Sequence, residues 1–493
     1  MSHGHHTAPP PLRACQPGAD WNDAVPHLGT AQDARHACKG APAATTFQSW
    51  DALRSALLSV PDERPRTPVY VPTPFPAAFH DNLRRRAAQF AGVPPRTNDA
   101  LLEASRWLFW HHRSAVIVCI RGDRLWFLPY VNTGYRNTWQ HARVDQAVRR
   151  YCAQHRPRDA GQWDPDITRW WSNGKMLCTG VPRGKPPVGD RGLLAWVDLL
   201  RAAMAVTGDL DATFVLNRRD CQMLPRGWRD GRPADDPFGD ADPVPPPPPG
   251  ALPVFSSYVR HGAADDVGFV EPSQWAAVNR CHFPALHGQP PPAPFDRCAV
   301  PMAMRAYKAG IFRGSITSQE RYDLIKQAWR MPFVDVAATG YNNHRLKVDG
   351  GIMGPTTGLA PEAVGSHHFV DLEAQFARYG VQIVADGHAA ADRLFHVLRC
   401  SGGAVAQLVP SVGDPGGAHG MWFSDLMVGD GNCPVVTCGD VPTLVASVKA
   451  MYEPDPGLGA GFAAAAAAFA DRYLTRQALV EYTAALVAEV AAR

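Results

Sequence analysis

The sequence predicts an α/β protein of two lobes, each made of strands alternating with helices. Three observations carry this. In the first half, the apolar runs Ala115–Ile120, Leu125–Tyr130 and Thr213–Leu216 have strand length and composition. They are interleaved with helical spacing over Ala100–His111, Val144–His155 and Leu193–Val206. In the second half, from Gly310 onward, strand and helix patterns alternate in regular βα order. With 493 residues the chain is also longer than a single hydrophobic core usually serves.

Taken in order, residues 1–45 are rich in Pro, Ala, Gly and His, and predict a disordered tail in which His3, His5 and His6 are solvated. Order is expected from Phe47. The first lobe spans 46–290. It carries a Pro-rich insertion over 229–253, with Asp235, Asp236, Asp240, Asp242 and five consecutive prolines, Pro245–Pro249. A second proline cluster, Pro290–Pro294, marks the boundary to a lobe spanning 291–493. There the pattern predicts strand Gly310–Arg313, helix Ser318–Arg330, strand Phe333–Ala338 and a Gly-rich loop through Gly365. Helix Asp371–Arg378, strand Val381–Ala385, helix Ala389–Cys400 and strand Ala404–Val409 follow, then strand Val435–Thr437 and helix Val441–Tyr452. The tail Gly461–Arg493, with six consecutive alanines at Ala463–Ala468, predicts one long docking helix.

Composition narrows the function classes. A net charge of +3 with balanced acids and bases gives no electrostatic reason for a nucleic-acid partner. No uncharged run is long enough to span a membrane, and the N-terminus lacks a secretory pattern. Eleven cysteines with no C-x-x-C pair suit reduced thiols, and hence a cytoplasmic protein.

Two segments carry the chemistry. Gly310–Arg321 (Gly-Ile-Phe-Arg-Gly-Ser-Ile-Thr-Ser-Gln-Glu-Arg) and Val384–Arg393 (Val-Ala-Asp-Gly-His-Ala-Ala-Ala-Asp-Arg) each read as strand, small-residue turn and helix. Each brings an arginine early in its helix. Such a turn directs backbone N–H groups and a helix N-terminus at one point, where an anion can sit. Arginine adds bidentate donors for phosphate. In the first segment the candidate ligands are Arg313, Gly314, Ser315, Thr317 and Arg321; in the second, Asp386, Gly387 and Arg393. Each segment also has a reading without a ligand. Thr317 and Glu320 fit a capping box, and Asp386-Gly387 is ordinary turn chemistry. A third piece, Phe214–Asp220, is an apolar strand ending in Asn217-Arg218-Arg219-Asp220. Asp220 beyond a strand's carboxyl end suits a general base, or a turn residue paired with Arg218 or Arg219. Aromatic residues such as Trp107, Trp110, Trp126, Tyr130 and Trp171 crowd the first half and suit either core packing or sugar stacking. None of the Asp-x-Asp pairs, Asp164/Asp166, Asp209/Asp211 and Asp240/Asp242, ends a strand as a metal-dependent sugar transferase needs. Cys433 and Cys438 have no His at zinc spacing. No metal site is therefore assigned.

The order of these pieces resembles the CAP10-like glycosyltransferases of family 90, which include protein O-glucosyltransferases and capsule xylosyltransferases. The matching pieces are Asn217–Asp220, Phe312–Arg321, Asp386–Arg393 and Met421–Met427. Asn132–Trp139 and Trp171–Gly174 look like the branch encoded by large DNA viruses of protists. The chain departs from the family pattern at Cys221-Gln222 and Tyr322-Asp323.

The resemblance implies a GT-B-like α/β fold, two Rossmann-like lobes facing a cleft, with a long C-terminal helix. It implies an inverting, metal-independent glycosyltransferase that moves glucose or xylose from a UDP-sugar to a glycan or glycoprotein hydroxyl. UDP-sugar is the donor substrate and no cofactor is needed. A viral protein of this kind would act in the host cytoplasm. Asp220 matches the general base. Ser315, Arg321 and Arg393 match residues that hold the diphosphate. The alternatives are a non-catalytic glycosyltransferase-like scaffold or glycan-binding protein, and a nucleotide-sugar hydrolase or phosphorylase.

Overall fold

In the computed structural model the described residues are 47, 49–64, 75–88, 90, 97–112, 114–131, 170–172, 175–177, 191–217, 252–260, 266–278, 297–341, 347–348, 351–352, 358–387, 391–409, 419–429, 433–453 and 455–491. The predicted tail 1–45, the helix Val144–His155, almost all of the insertion 229–253 and the 290/291 boundary lie outside them.

The first half is built on helices α1 (Trp50–Leu57), α2 (Ala77–Ala88) and α3 (Asn98–Trp107), then strands β1 (Ser114–Gly122) and β2 (Arg124–Val131). Gly122, at φ 61°, takes the left-handed conformation that lets β1 reverse directly into β2. Helix α4 (Arg191–Thr207) leads to β3 (Leu210–Asn217), every residue of which is buried. The polar residues of β3 are enclosed with partners: Asp211 accepts from Arg64, Thr213 Oγ1 accepts from Arg121, and Asn217 donates to Ser256. Strands β4 (Val254–Ser256) and β5 (Val267–Gly268) complete a mixed five-stranded sheet in the order β2-β1-β3-β4-β5, and α5 (Pro272–Val278) follows. The sequence pattern missed α1, α2 and α5; α1 and α5 have only two or three buried positions to show.

The second half holds a fully parallel sheet. Its strands are β6 (Tyr307–Ile316), β7 (Val334–Tyr341), β8 (Tyr379–Ala385), β9 (Ala404–Leu408) and β10 (Val436–Cys438). The spatial order is β7-β6-β8-β9-β10. Helix α6 (Gln319–Ala328) carries the chain from β6 outward to β7. Helix α7 (Leu372–Arg378) brings it back to β8 on the other side of β6, and α8 (Arg393–Cys400) carries it on to β9. The connections leaving β6 and β8 thus diverge. Beyond the carboxyl ends of these two strands they leave a crevice, the position where open α/β sheets bind ligands.

Helices α9 (Ser424–Gly429) and α10 (Val441–Ala450) precede the C-terminal region. There the structure corrects the single long helix. The region forms two helices, α11 (Pro456–Tyr473) and α12 (Arg476–Ala491), broken at Leu474-Thr475. Thr475 Oγ1 accepts the Ala478 N–H at 3.1 Å and so caps the second helix. Most of α12 is buried, including Leu479, Tyr482, Leu486 and Val490. A helix apolar all round must be enclosed on all sides. It packs on α2, α4, α5 and β3, so the end of the chain returns to the first sheet and not to the second lobe. The docking charges of the tail are engaged as expected from the sequence. Arg297 pairs with Asp471 at 2.7 Å, and the Arg476 guanidinium lies 5.3 Å from the Trp275 ring centroid.

One apolar cluster runs from the first sheet through α4 and α5 to α8, Trp422 and α12. A second lies on the far face of the parallel sheet, under α6 and α10. The first sheet is therefore stabilised from the C-terminus. Leu486→Ala should lower unfolding free energy by about 2–5 kcal/mol, read as a drop in the urea midpoint. A shift within error would show that α12 is not a structural part of the first sheet's core.

Candidate functional site

The crevice between β6 and β8 is assembled around one buried guanidinium. Ser318 adopts an extended conformation and its Oγ accepts the Arg321 N–H at 3.3 Å, so Ser318 is the N-cap of α6. This corrects the capping box assigned to Thr317. Thr317 instead turns its Oγ1 to the Arg321 side chain, accepting from Nη1 at 3.1 Å. The same Nη1 donates to the Ser315 carbonyl at 3.0 Å, and Nε donates to the Ala385 carbonyl at 3.0 Å. Ser318 Oγ also donates to the Asp386 carbonyl at 2.8 Å. Arg321 therefore clamps the end of β6 to the end of β8. Burial lowers its pKa, while the charges of Asp386 and Glu320 raise it again.

The glycine of the second segment is needed for this contact. A Cβ on Gly387 would stand 2.8 Å from Thr317 Oγ1 and 3.3 Å from Arg321 Nη2. Gly314 lies beside the Phe312 ring, and Ser315 Oγ faces Gly340 on β7.

Asp386 is 1% exposed. Its Oδ1 accepts the Ala391 N–H at 3.0 Å, while Oδ2 is buried with no hydrogen-bond partner among the described residues. Burial pushes its pKa up to about 7, against the Ala391 N–H, the Arg321 charge and Gln407. Arg393 is the first residue of α8. Its Nη1 is likewise buried without a partner among the described residues. Its pKa is pulled down to about 10, first by burial and then by the like charges of Arg321 and Arg313. It is a partly buried cation that carries like-charge repulsion.

The first half of the chain reaches this point through α5. Ser273 Oγ donates to Asp392 Oδ2 at 2.6 Å, and Gln274 Nε2 donates to Asp392 Oδ1 at 3.3 Å. Gln274 Oε1 in turn accepts the Trp422 Nε1–H at 3.0 Å. Asp392 immediately precedes Arg393. Burial alone would raise its pKa, but His396 and the donors from α5 bring it below the usual carboxylate range.

Of the sequence-derived ligands, Ser315, Thr317, Arg321, Asp386, Gly387 and Arg393 thus meet at one crevice. Arg313 is held apart: its Nη2 and Nη1 donate to the Asp335 side chain and carbonyl at 2.6 and 2.7 Å. Asp220, with Arg218 and Arg219, lies outside the described residues. Sequence reasoning did not find Ser273, Gln274 or Asp392. No motif marks the aspartate that precedes α8, whose side chain makes no cap hydrogen bond, as the partner of α5.

A recess of about 970 Å³ opens at the β1–β2 turn, the far end of β3 from Asn217. Its charges neutralise one another, since Arg64 Nη2 lies 2.6 Å from both Asp209 and Asp211. That engagement uses one of the Asp-x-Asp pairs for structure. Among the described residues, no group of three or more His, Cys, Asp or Glu gathers as a metal site would need, and no helix is long and apolar enough to cross a membrane. No family model and no curated protein matches this chain.

The packing at Gly387 is directly testable. Gly387→Ala should cost about 1–3 kcal/mol of stability by overpacking, whereas Gly439→Ala, with nothing within 4 Å of the new methyl, should be near neutral. Equal melting temperatures for the two variants would contradict the clamp geometry.

Proposed function

We propose that the chain is an inverting, metal-independent glycosyltransferase of GT-B-like arrangement that binds a UDP-sugar diphosphate at the β6/β8 crevice. One observation carries this reading. Arg393 is partly buried, feels the like charge of Arg321, and has a buried Nη1 with no partner among the described residues. Such a cation is costly unless an anion completes it. A diphosphate supplies two negative charges and several acceptor oxygens. The position beyond β6 and β8 is where parallel α/β sheets receive such groups.

The chemistry is coherent with the resemblance. Sugar transfer from UDP builds negative charge on the departing β-phosphate. Arg393, Arg321 and the N-termini of α6 and α8 offer fixed positive charge for that oxygen anion. Asp220 is assigned as the base that removes the acceptor hydroxyl proton as the oxygen attacks. Attack from the face opposite the leaving group inverts the anomeric carbon. Glucose and xylose are the sugars the resemblance suggests, with a glycan or glycoprotein as acceptor.

The two arginines should separate in experiment. Arg321→Ala removes the donors of the Ser315 and Ala385 carbonyls and should cost about 1–3 kcal/mol of folding stability. Arg393→Ala should leave the ligand-free melting temperature unchanged or higher, yet weaken UDP binding by about 1.5–3 kcal/mol. Wild-type protein with UDP at about 100 times its dissociation constant should gain ~2.7 kcal/mol, and the Arg393 variant at the same concentration far less. Identical UDP-induced shifts in wild type and the Arg393 variant would remove the diphosphate from this crevice.

Asp220→Asn tests the base. Turnover of UDP-sugar onto glycan acceptors should fall by about 10²-fold or more while UDP affinity holds. Unchanged turnover would assign the proton to another group. A wild-type protein that binds UDP and transfers sugar to no acceptor would be the scaffold of the alternative reading.

A further inference from the structure

The diphosphate crevice contains a carboxyl that the proposed chemistry does not use. Asp386 lies behind the Arg321 clamp. Its own carbonyl accepts Ser318 Oγ and the carbonyl before it accepts Arg321 Nε, so it cannot move away. The charged and polar groups facing its carboxyl are Arg321 and Glu320 from α6, Gln407 from β9 and the Ala391 N–H ahead of α8. Arg393 supplies the other positive charge of the crevice, and Arg313, paired with Asp335 outside it, adds like-charge repulsion. Oδ1 accepts the Ala391 N–H, while Oδ2 is buried and outside hydrogen-bonding geometry with any described residue; the Gln407 side chain favours the anion, and burial outweighs it. A buried carboxylate oxygen in that position favours the protonated acid.

We propose that Asp386 is the proton-linked charge of this crevice: it takes a proton from solvent as a diphosphate binds and returns it to solvent when the diphosphate leaves. This rests on the diphosphate reading of the site. The ionised acid adds a negative charge to the arginine cluster and repels the incoming dianion. The neutral acid does not. By linkage, the bound dianion must raise the proton affinity of Asp386 just as the proton raises the affinity for the dianion. The ligand-free group already titrates near neutrality, so the exchange falls in the neutral range.

The sign follows from the raised pKa. Affinity for the diphosphate should be greatest with Asp386 protonated and should decline as pH rises through about 7. Ligand-free stability follows the same sign. The folded state binds this proton more tightly than the unfolded chain, whose ordinary value is 3.8, so stability from this group falls between that value and about 7.

UDP-glucose is the suitable probe, because its diphosphate is a diester with no proton to exchange near neutrality. Calorimetric titration at pH 7 in two buffers of different ionisation enthalpy should show net proton uptake on binding. Affinity should be about fivefold weaker at pH 8 than at pH 6, approaching the roughly tenfold limit of one pKa unit of coupling only outside that range. Asp386→Asn should bind with no proton uptake, without that pH dependence, and near the wild-type affinity at pH 6. In the absence of ligand, wild type should lose melting temperature relative to the variant from pH 6 to pH 8. Should the variant not fold, the two-buffer measurement on wild type decides alone. Binding without proton uptake, or equal uptake by the variant, overturns the role of Asp386 and leaves the diphosphate site standing. Absence of UDP-glucose binding at every pH in folded protein overturns both.

Discussion

A guanidinium taken out of water must find acceptors for its N–H groups, and the architecture of the second lobe follows from where Arg321 finds them. They are main-chain carbonyls of β6 and β8 and the hydroxyl of Thr317. The two strands are neighbours in the sheet, yet their connections leave in opposite directions. Nothing in the sheet ladder holds their carboxyl ends together once pairing stops. The Arg321 side chain supplies that tie. It requires Ser318 as the helix cap, so that Thr317 is free, and a glycine at 387, so that the second turn can approach. Replacement by lysine would give a single point charge where a planar fork now reaches two strands.

Arg393 is the counterpart that the fold does not satisfy. Its repulsion with Arg321 and Arg313 lowers stability in the free protein, and its neighbour Asp386 is held as a weak anion at best. Unmatched positive charge of this kind is what the proposed diphosphate site would present in the free protein. The same physics separates this crevice from the recess at the β1–β2 turn. There Arg64 is matched by Asp209 and Asp211, and the charges are already neutralised.

The two halves of the chain are joined around Trp422. Its indole donates to Gln274 and packs at 4.5 Å from the Tyr482 ring, while Tyr482 OH donates to the Gly268 carbonyl at 2.5 Å. A Cβ on Gly268 would meet the Trp422 backbone at 2.8 Å, so the contact depends on glycine there. Gln274 then reaches Asp392, one residue from Arg393. The packing between the two halves and the β6/β8 crevice thus share one hydrogen-bonded chain, from Trp422 through Gln274 to Asp392 at the start of α8.

Much of this was legible in the chain itself, because local rules govern it. The period of apolar residues located all five strands of the second sheet and the three long strands of the first, since each buries its own side chains, and passed over the short β4 and β5. The two small-residue turns with their arginines marked the crevice, since strand, turn and helix are consecutive and need no distant partner. Three things were decided only by tertiary structure. The Ala-rich tail reads as one helix, and it is the room between α4 and β3 that makes α12 separate and turn back to the first sheet. Thr317 and Ser318 are both good caps in isolation, and the presence of the Arg321 guanidinium assigns one to the helix and the other to the side chain. Asp386 and Asp335 are chemically the same residue. One lies at a buried strand end with an oxygen left unmatched, while the other pairs with Arg313 and Tyr379, and only the fold chooses which partners come within reach of each.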